Sequence, residues 1–376
     1  PPPPPPPPPP RLDSSAASDV YKRQADIWMD ILGIDQVSVS DDFFAVGGNS
    51  LLSIRVFGRI ADQFEVEMPL SVLFSETTLE RLAARIDRED KRQSEWSLLV
   101  AIQPEGEKTP FFCIHGLTGD VLWFRQLGKL LAPDQPFYGI QAQGLDGQLA
   151  AIDSIDEMAG TYIQEIKRVQ PSGPYILGGA SLGGTIALEM AQQLQMNGEE
   201  VSLLIMFDHA PDVIAENLAA NKKISAQAYH FLTNTVQWVK SFRAMGSEQV
   251  IQRASRKARV SLKMLNGKSA RKNSNRVDAG DLLDYGSELP EFRQKMIETH
   301  WHAINNYRAA SYNQPVLLLQ AKSQPLISTE KPEDTWVHLA SERLTVITVP
   351  GSHEGMFHEP HVQKLAQELR SQLDLV

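Results

Sequence analysis

The sequence predicts a small all-α bundle followed by an α/β domain with a mostly parallel sheet. Three observations lead there. Between residues 24 and 88, apolar residues recur at helical spacing. From residue 97 onward, seven short apolar runs (97–103, 110–115, 137–142, 175–180, 201–207, 315–321 and 343–349) alternate with helical patterns at 123–131, 155–170 and 184–196. Between the fifth and sixth runs lie about a hundred residues, 212–312, that read as largely helical (226–242, 249–265 and 290–308), the mark of an insertion into the alternating pattern.

The 376 residues suffice for two or three domains, and 42% hydrophobic with 22% charged content fits a soluble globular protein. The sequence has no apolar run of about 18 residues and no basic start followed by an apolar core, so neither a membrane span nor a secretory signal is expected. The single cysteine, Cys113, excludes an internal disulfide. It lies in an apolar run where a buried, inert thiol is expected, and a reducing cytoplasm is the default compartment. The net charge of −10 is uneven. Residues 221–276 hold thirteen Lys or Arg against one acid, Glu248, whereas residues 24–87 hold four Arg against eleven acids. The basic block has little aromatic interleaving and sits in an acidic protein, which argues against a nucleic-acid partner. It reads as a solvated helical face or as a docking surface for an acidic domain, with Arg256, Lys257 and Arg259 as the residues to reverse.

The first 23 residues begin with ten prolines rather than Met. Polyproline buries nothing, and this stretch reads as disordered, an artefact of sequence assembly or cloning; the missing start suggests the C-terminal end of something longer. In the bundle, residues 24–88, Ile27, Trp28, Ile31 and Leu32 share one helical face and Gly33 stops the helix. A second helix opens after Ser50 with Leu51, Ile54 and Phe57 inward. A third opens at Thr77-Thr78-Leu79-Glu80, a capping-box pattern, with Leu79, Leu82, Ala83 and Ile86 inward. A short linker, residues 89–96, ties the bundle to the second domain, and such a tether raises the effective concentration of one domain at the other.

Ser50 follows Gly47-Gly48-Asn49 at a helix start, where free N–H groups and partial positive charge suit a phosphodiester; capping alone is the other reading of such a serine. The stretch Asp42-Phe43-Phe44-Ala45-Val46-Gly47-Gly48-Asn49-Ser50-Leu51-Leu52, with Phe64-Glu65-Val66-Glu67-Met68-Pro69-Leu70 and Leu73-Phe74, resembles the peptidyl carrier domains of non-ribosomal peptide synthetases. The resemblance implies that Ser50 carries 4'-phosphopantetheine, added by a separate phosphopantetheinyl transferase. Asn49 departs from the His or Asp that the family often has there.

In the second domain, Gly179-Ala180-Ser181-Leu182-Gly183 lies between an apolar run and a helical pattern, the strand-turn-helix setting of G-x-S-x-G. Such a turn exposes the Ser181 hydroxyl and aims the Leu182 N–H at a developing oxyanion. A serine nucleophile needs a base and an orienting acid. Asp208 ends the next strand, and His353 follows the last one through Pro350-Gly351-Ser352, giving the order Ser, Asp, His. His115 ends the run before Gly116-Leu117, His209 adjoins the acid and reads as structural, and His300, His302, His358 and His361 fall in helices or at their edges. The loop after 110–115 offers a second oxyanion donor, the N–H of Leu117.

Phe112-Cys113-Ile114-His115-Gly116, Phe137 to Gly147, Val169 to Tyr175 and Gly351-Ser352-His353 are similar to the type I thioesterase domains that end non-ribosomal peptide and polyketide assembly lines. The resemblance implies an α/β-hydrolase domain over residues 97–376 with a helical lid at about 212–312, and it selects Asp208 as the acid over Glu330, Glu333 or Asp334. Ala180 and Leu182 depart from the family's frequent choices at positions that line the pocket. The implied function is a terminal carrier-thioesterase unit that takes an acyl or peptidyl thioester from upstream synthetase modules and releases it by hydrolysis or cyclisation. Transfer to a separate acceptor, editing of misloaded carriers, and a non-catalytic carrier or docking protein are the rivals. No metal and no membrane partner is expected.

Overall fold

In the computed structural model the described residues are 19–66, 68–88, 96–211, 289–323, 332–340 and 343–376. They fall into two compact units that divide between Ser97 and Leu98.

The first unit is helical. Helix α1 spans Asp19–Leu32, α2 Ser50–Phe64 and α3 Leu79–Arg88. Helix α1 thus begins five residues before the expected start of the bundle at 24. The reason is a contact between helices: the Arg23 guanidinium lies 4.3 Å from the centre of the Phe64 ring and donates to the Gln63 carbonyl, so this polar stretch packs onto the end of α2. Trp28 and Phe43 are fully buried and meet edge-to-face at 5.2 Å, a contact worth about 1 kcal/mol beyond its buried area. The expected inward face of α3 (Leu79, Leu82, Ala83, Ile86) is buried. On α2, Phe57 is buried with Val56 and Ile60, while Ile54 is only half-buried. The cap of α3 is Thr78, whose Oγ1 accepts from the Arg81 N–H. Arginine at that position cannot reach back as the glutamate of a capping box would. Instead the Leu79 and Glu80 N–H groups donate to the carbonyls of Asp41 and Val39, so the loop after α1 closes the helix end.

The second unit is a seven-stranded sheet. Its strands are β1 Leu99–Gln103, β2 Phe111–Ile114, β3 Phe137–Ile140, β4 Tyr175–Ala180, β5 Val201–Phe207, β6 Val316–Ser323 and β7 Leu344–Ser352, in the spatial order β1-β3-β2-β4-β5-β6-β7. All pairs are parallel except β1 with β3. Each of the seven expected strands is present, with ends shifted by up to three residues. Helices α4 Arg125–Leu131, α5 Ile155–Lys167, α6 Leu182–Met196, α7 Glu291–Asn306, α8 Pro332–Ala340 and α9 His361–Leu373 complete the unit. Helix α6 starts two residues earlier than expected, directly after Ser181.

Side chains alternate across the sheet. Phe112, Ile114, Leu177, Leu204 and Leu318 pack with Tyr162 of α5, Ile186 of α6 and Trp336 of α8. On the other face Phe111 stacks on Phe137 at 5.0 Å, and Phe124, Phe207 and Phe357 continue the cluster. Every residue of β2 and β4 is buried, as covering on both faces requires. The chain runs from β2 to β3 on one side and then returns to place β4 on the other side of β2. That reversal leaves a crevice beyond the carboxyl ends of β2 and β4, the place where open α/β sheets bind ligands.

The expected lid helices at 226–242 and 249–265 and the basic block, including Arg256, Lys257 and Arg259, lie outside the described residues. So does most of the linker, residues 89–95. The third expected helix, 290–308, is α7.

Candidate active site

The turn between β4 and α6 is built by its glycines. A Cβ at Gly179 would lie 2.2 Å from the Gly183 carbonyl carbon, and one at Gly183 would lie 2.3 Å from the Ile114 carbonyl oxygen and 2.4 Å from that of His115. Only hydrogen fits at either position, so the helix start is pressed against the end of β2. Between them Ser181 has φ +54° and ψ −129°. A non-glycine residue there costs roughly 1–3 kcal/mol and persists only where its surroundings enforce it. Ser181 occupies the N-cap position of α6 but makes no side-chain capping bond, so its hydroxyl is not used to close the helix. Leu182 is the first residue of α6, where N–H groups have no intrahelical acceptor.

Asp208 follows β5 as Ser181 follows β4, and the strand ends Ala180 and Phe207 are register partners. Asp208 is also left-handed, at φ +49°. Among the described residues only one further non-glycine, Glu65, has positive φ. The Asp208 N–H donates to the Leu319 carbonyl at 2.9 Å, and its Oδ1 accepts from the Ala321 N–H at 2.8 Å. These bonds to β6 fix the buried carboxylate and turn Oδ2 toward His353, whose Nδ1 lies 3.1 Å away. His353 follows β7 and keeps 37% of its side-chain surface exposed. A carboxylate oxygen only accepts, so Nδ1 of His353 carries the proton and Nε2 of the neutral ring is left basic. Burial works against a charged ring at His353. The Asp208 hydrogen bond and charge, with Glu354, outweigh it and raise the imidazole above its ordinary 6.5.

Of the other candidate acids, Glu333 accepts from Gln320 on β6 at 3.3 Å, Asp334 lies in the first turn of α8, and Glu330 lies outside the described residues. His209 shares a 2.8 Å hydrogen bond between its Nε2 and the Thr185 hydroxyl, and burial followed by the nearby His353 lowers it to about 3. It is a neutral packing group. Cys113 is fully buried and its thiol is held well above its ordinary range by desolvation.

Leu117 lies in the loop after β2, beside the serine turn: a Cβ at Gly116 would stand 3.9 Å from the Ala180 carbonyl oxygen. The loop is held by groups that sequence reasoning missed. His115 Nδ1 bonds the Gly116 carbonyl at 2.7 Å, and its Nε2 meets the Tyr162 hydroxyl at 2.8 Å. His300 of α7 bonds the Leu117 carbonyl at 3.0 Å. No signal in the sequence links residue 300 to residue 117.

In the first unit, Ser50 is the first residue of α2. The capping bond there comes from Asn49, whose Oδ1 accepts from the Leu52 N–H at 3.0 Å. A serine at 50 is therefore not required as the cap. The preceding turn rests on Phe43: the Gly48 N–H donates to the Phe43 carbonyl at 2.8 Å, and a Cβ at Gly48 would collide with that residue at 2.4 Å.

Among the described residues no helix is long and apolar enough to cross a membrane, and no group of three or more His, Cys, Asp or Glu could hold a metal ion.

Comparison with known proteins gives both units a family. Residues 25–86 match the phosphopantetheine attachment site and residues 109–373 the thioesterase domain. The chain is 37% identical over 270 residues to malpinin synthetase of Mortierella alpina, a stretch that is 71% of this chain and 3% of that protein. It is 39% identical over 187 residues to a dimodular nonribosomal peptide synthase of Bacillus subtilis (strain 168), covering 50% of this chain and 8% of the relative. The chain thus spans a small part of either relative. Its fold is similar to that of a four-domain nonribosomal peptide synthetase in the holo form, with a TM-score of 0.55 at 22% identity, covering 97% of this chain and 27% of that one. The chain belongs to the thioesterase domain family, with a phosphopantetheine attachment domain ahead of the α/β-hydrolase fold.

Proposed function

We propose that this chain is the terminal carrier-thioesterase unit of a non-ribosomal peptide assembly line, with Ser181, His353 and Asp208 as its catalytic triad and Ser50 as its attachment site. The observation that carries the reading is the 3.1 Å bond between Asp208 and His353 at the sheet edge where the strained Ser181 turn also ends.

The residues around Ser50 fit a phosphopantetheine group. The serine opens a 15-residue helix, where N–H groups and the helix dipole favour a phosphodiester, and Asn49 takes over capping. The group would supply a thiol that presents the acyl chain as a thioester. The chain's own residues supply the rest. His353 Nε2 takes the Ser181 proton as Oγ attacks the thioester carbonyl, while Asp208 holds the ring in its Nδ1–H tautomer and stabilises the imidazolium. The N–H groups of Leu182 and Leu117 receive the oxyanion. The oxyanion collapses, the C–S bond breaks, and the imidazolium returns its proton to the departing sulfur, leaving an ester on Ser181. His353 then deprotonates water, or a hydroxyl or amine of the chain itself, which attacks the ester and frees an acid or a ring. Upstream synthetase modules and a phosphopantetheinyl transferase are the partners this reading requires, in a cytoplasmic setting.

The carrier half is tested by loading. A phosphopantetheinyl transferase and an acyl-coenzyme A should add one acyl-phosphopantetheine, mapped by peptide mass to Ser50, and Ser50→Ala should gain none. Equal loading of the variant would contradict the assignment.

The catalytic half predicts a pH profile. His353 must be neutral to act, and its raised value places the acid limb of kcat/KM above the ordinary imidazole range. Asp208→Ala removes the carboxylate that does most to raise it and leaves Glu354 as the remaining charge against burial, so the limb should move to lower pH while the plateau rate falls by about 10⁴-fold. A limb at the same pH in both proteins would show that the titrating base is not His353 paired to Asp208.

A further inference from the structure

His115 and His300 are 185 positions apart in sequence, yet their rings stack at 5.2 Å with 24° between planes. Both are buried, with relative exposures of 0% and 1%. Each spends a ring nitrogen on the loop that carries Leu117: His115 on the Gly116 carbonyl and His300 on the Leu117 carbonyl. A carbonyl oxygen only accepts, so both rings carry their proton on Nδ1. In His115 the remaining Nε2 then accepts from the Tyr162 hydroxyl, and that hydroxyl takes a backbone hydrogen bond from Gln143. Burial, and for His115 the neighbouring His300, lowers the two rings to about 3 and about 4, so both are uncharged near neutrality and do not repel one another.

These two bonds hold successive peptide planes. In a planar trans peptide the C=O and the N–H point in opposite directions. Fixing the Gly116 carbonyl therefore fixes the N–H of Leu117, and fixing the Leu117 carbonyl sets the plane on the other side of the same Cα. The Gly119 N–H also donates to the Gly116 carbonyl at 3.1 Å, which closes the turn but leaves the Leu117 carbonyl to His300. The His300 bond reaches the loop from a distant element, α7, as the Ala142 N–H after β3 does at the Gly119 carbonyl.

We propose that His300, stacked on His115, is a positioning residue for the oxyanion hole: its Nδ1–H bond to the Leu117 carbonyl fixes the peptide plane that follows the Leu117 Cα, and so steadies the turn in which the plane held by His115 presents the Leu117 N–H to the reacting carbonyl. The role rests on the reading of Leu117 as an oxyanion donor. A preorganised donor acts on the transition state more than on the bound substrate, so its misalignment lowers kcat and leaves KM nearly unchanged.

The test compares His300→Leu with His300→Asn in the holo chain on a soluble acyl thioester. Leucine and asparagine have nearly the same shape, and only asparagine offers an N–H near the former Nδ1. The expected result is a kcat lowered roughly 10- to 100-fold in His300→Leu with KM within about twofold, and recovery to within about threefold of the parent in His300→Asn. Should His300→Leu not fold, His300→Phe keeps a ring against His115 without the donor and serves in its place. Equal losses in the leucine and asparagine variants, or an unchanged kcat in the leucine variant, would overturn the proposal. Ser181→Ala is assayed beside them. Parent activity in Ser181→Ala defeats the nucleophile assignment itself, whereas an inactive Ser181→Ala with an unimpaired His300→Leu defeats the positioning role alone.

Discussion

Ser181→Ala is expected to lower thioester turnover by about 10⁴-fold or more while leaving the fold intact. The size comes from the role. Removing the nucleophile of a serine triad removes the covalent route entirely, and the residue of activity comes from binding and oxyanion donors acting on water. The fold should survive because the Ser181 side chain makes no capping bond to α6, so alanine loses no helix-closing interaction. Alanine keeps the strained φ of +54°, because the strain is imposed by Gly179 and Gly183 against the end of β2 and not by the hydroxyl. The check is kcat on a soluble acyl thioester beside the thermal midpoint. Lost activity with an unchanged midpoint is the expected pairing, and activity within tenfold of the parent would remove Ser181 from the mechanism.

The second large effect is structural. Gly183→Ala should destabilise the second unit by about 3 kcal/mol, or prevent its folding, even though alanine is the better helix former. The added methyl carbon would meet two backbone carbonyl oxygens, Ile114 at 2.3 Å and His115 at 2.4 Å, and backbone cannot rotate away as a side chain can. The start of α6 must lift off β2, which also separates the Leu182 N–H from the Leu117 loop. Thermal unfolding measures this, with a drop of roughly 6–12 °C expected for a domain of this size. A midpoint within 2 °C of the parent would mean that α6 and β2 are not in the close contact described.

Much of this architecture was legible because buried parallel strands are apolar on both faces. The runs that form β2, β4, β5 and β6 stand out for that reason, and β2 and β4 are buried throughout. The carboxylate and imidazole that meet at 3.1 Å each sit directly after a strand, so their convergence could be anticipated from strand ends alone. Other features had no local signal. The start of α1 at Asp19 depends on Arg23 reaching Phe64, forty-one positions away, and the stretch it belongs to reads from sequence as disordered. Two adjacent threonines at 77 and 78 both fit a capping pattern, and only the bond from Arg81 selects Thr78. The left-handed backbone at Asp208 is invisible in a run that ends in an ordinary Phe-Asp-His. His300 looked like one more helical histidine, because its partner is a carbonyl 183 residues earlier.

The most direct test of the central claim tracks the intact mass of the acyl-loaded chain with time. In the parent the acyl increment on the carrier should disappear as product is released. In Ser181→Ala it should persist on Ser50 for as long as the thioester itself survives in buffer. Loss of the acyl group at the parent rate from Ser181→Ala would contradict the account, because release would then need no ester on Ser181.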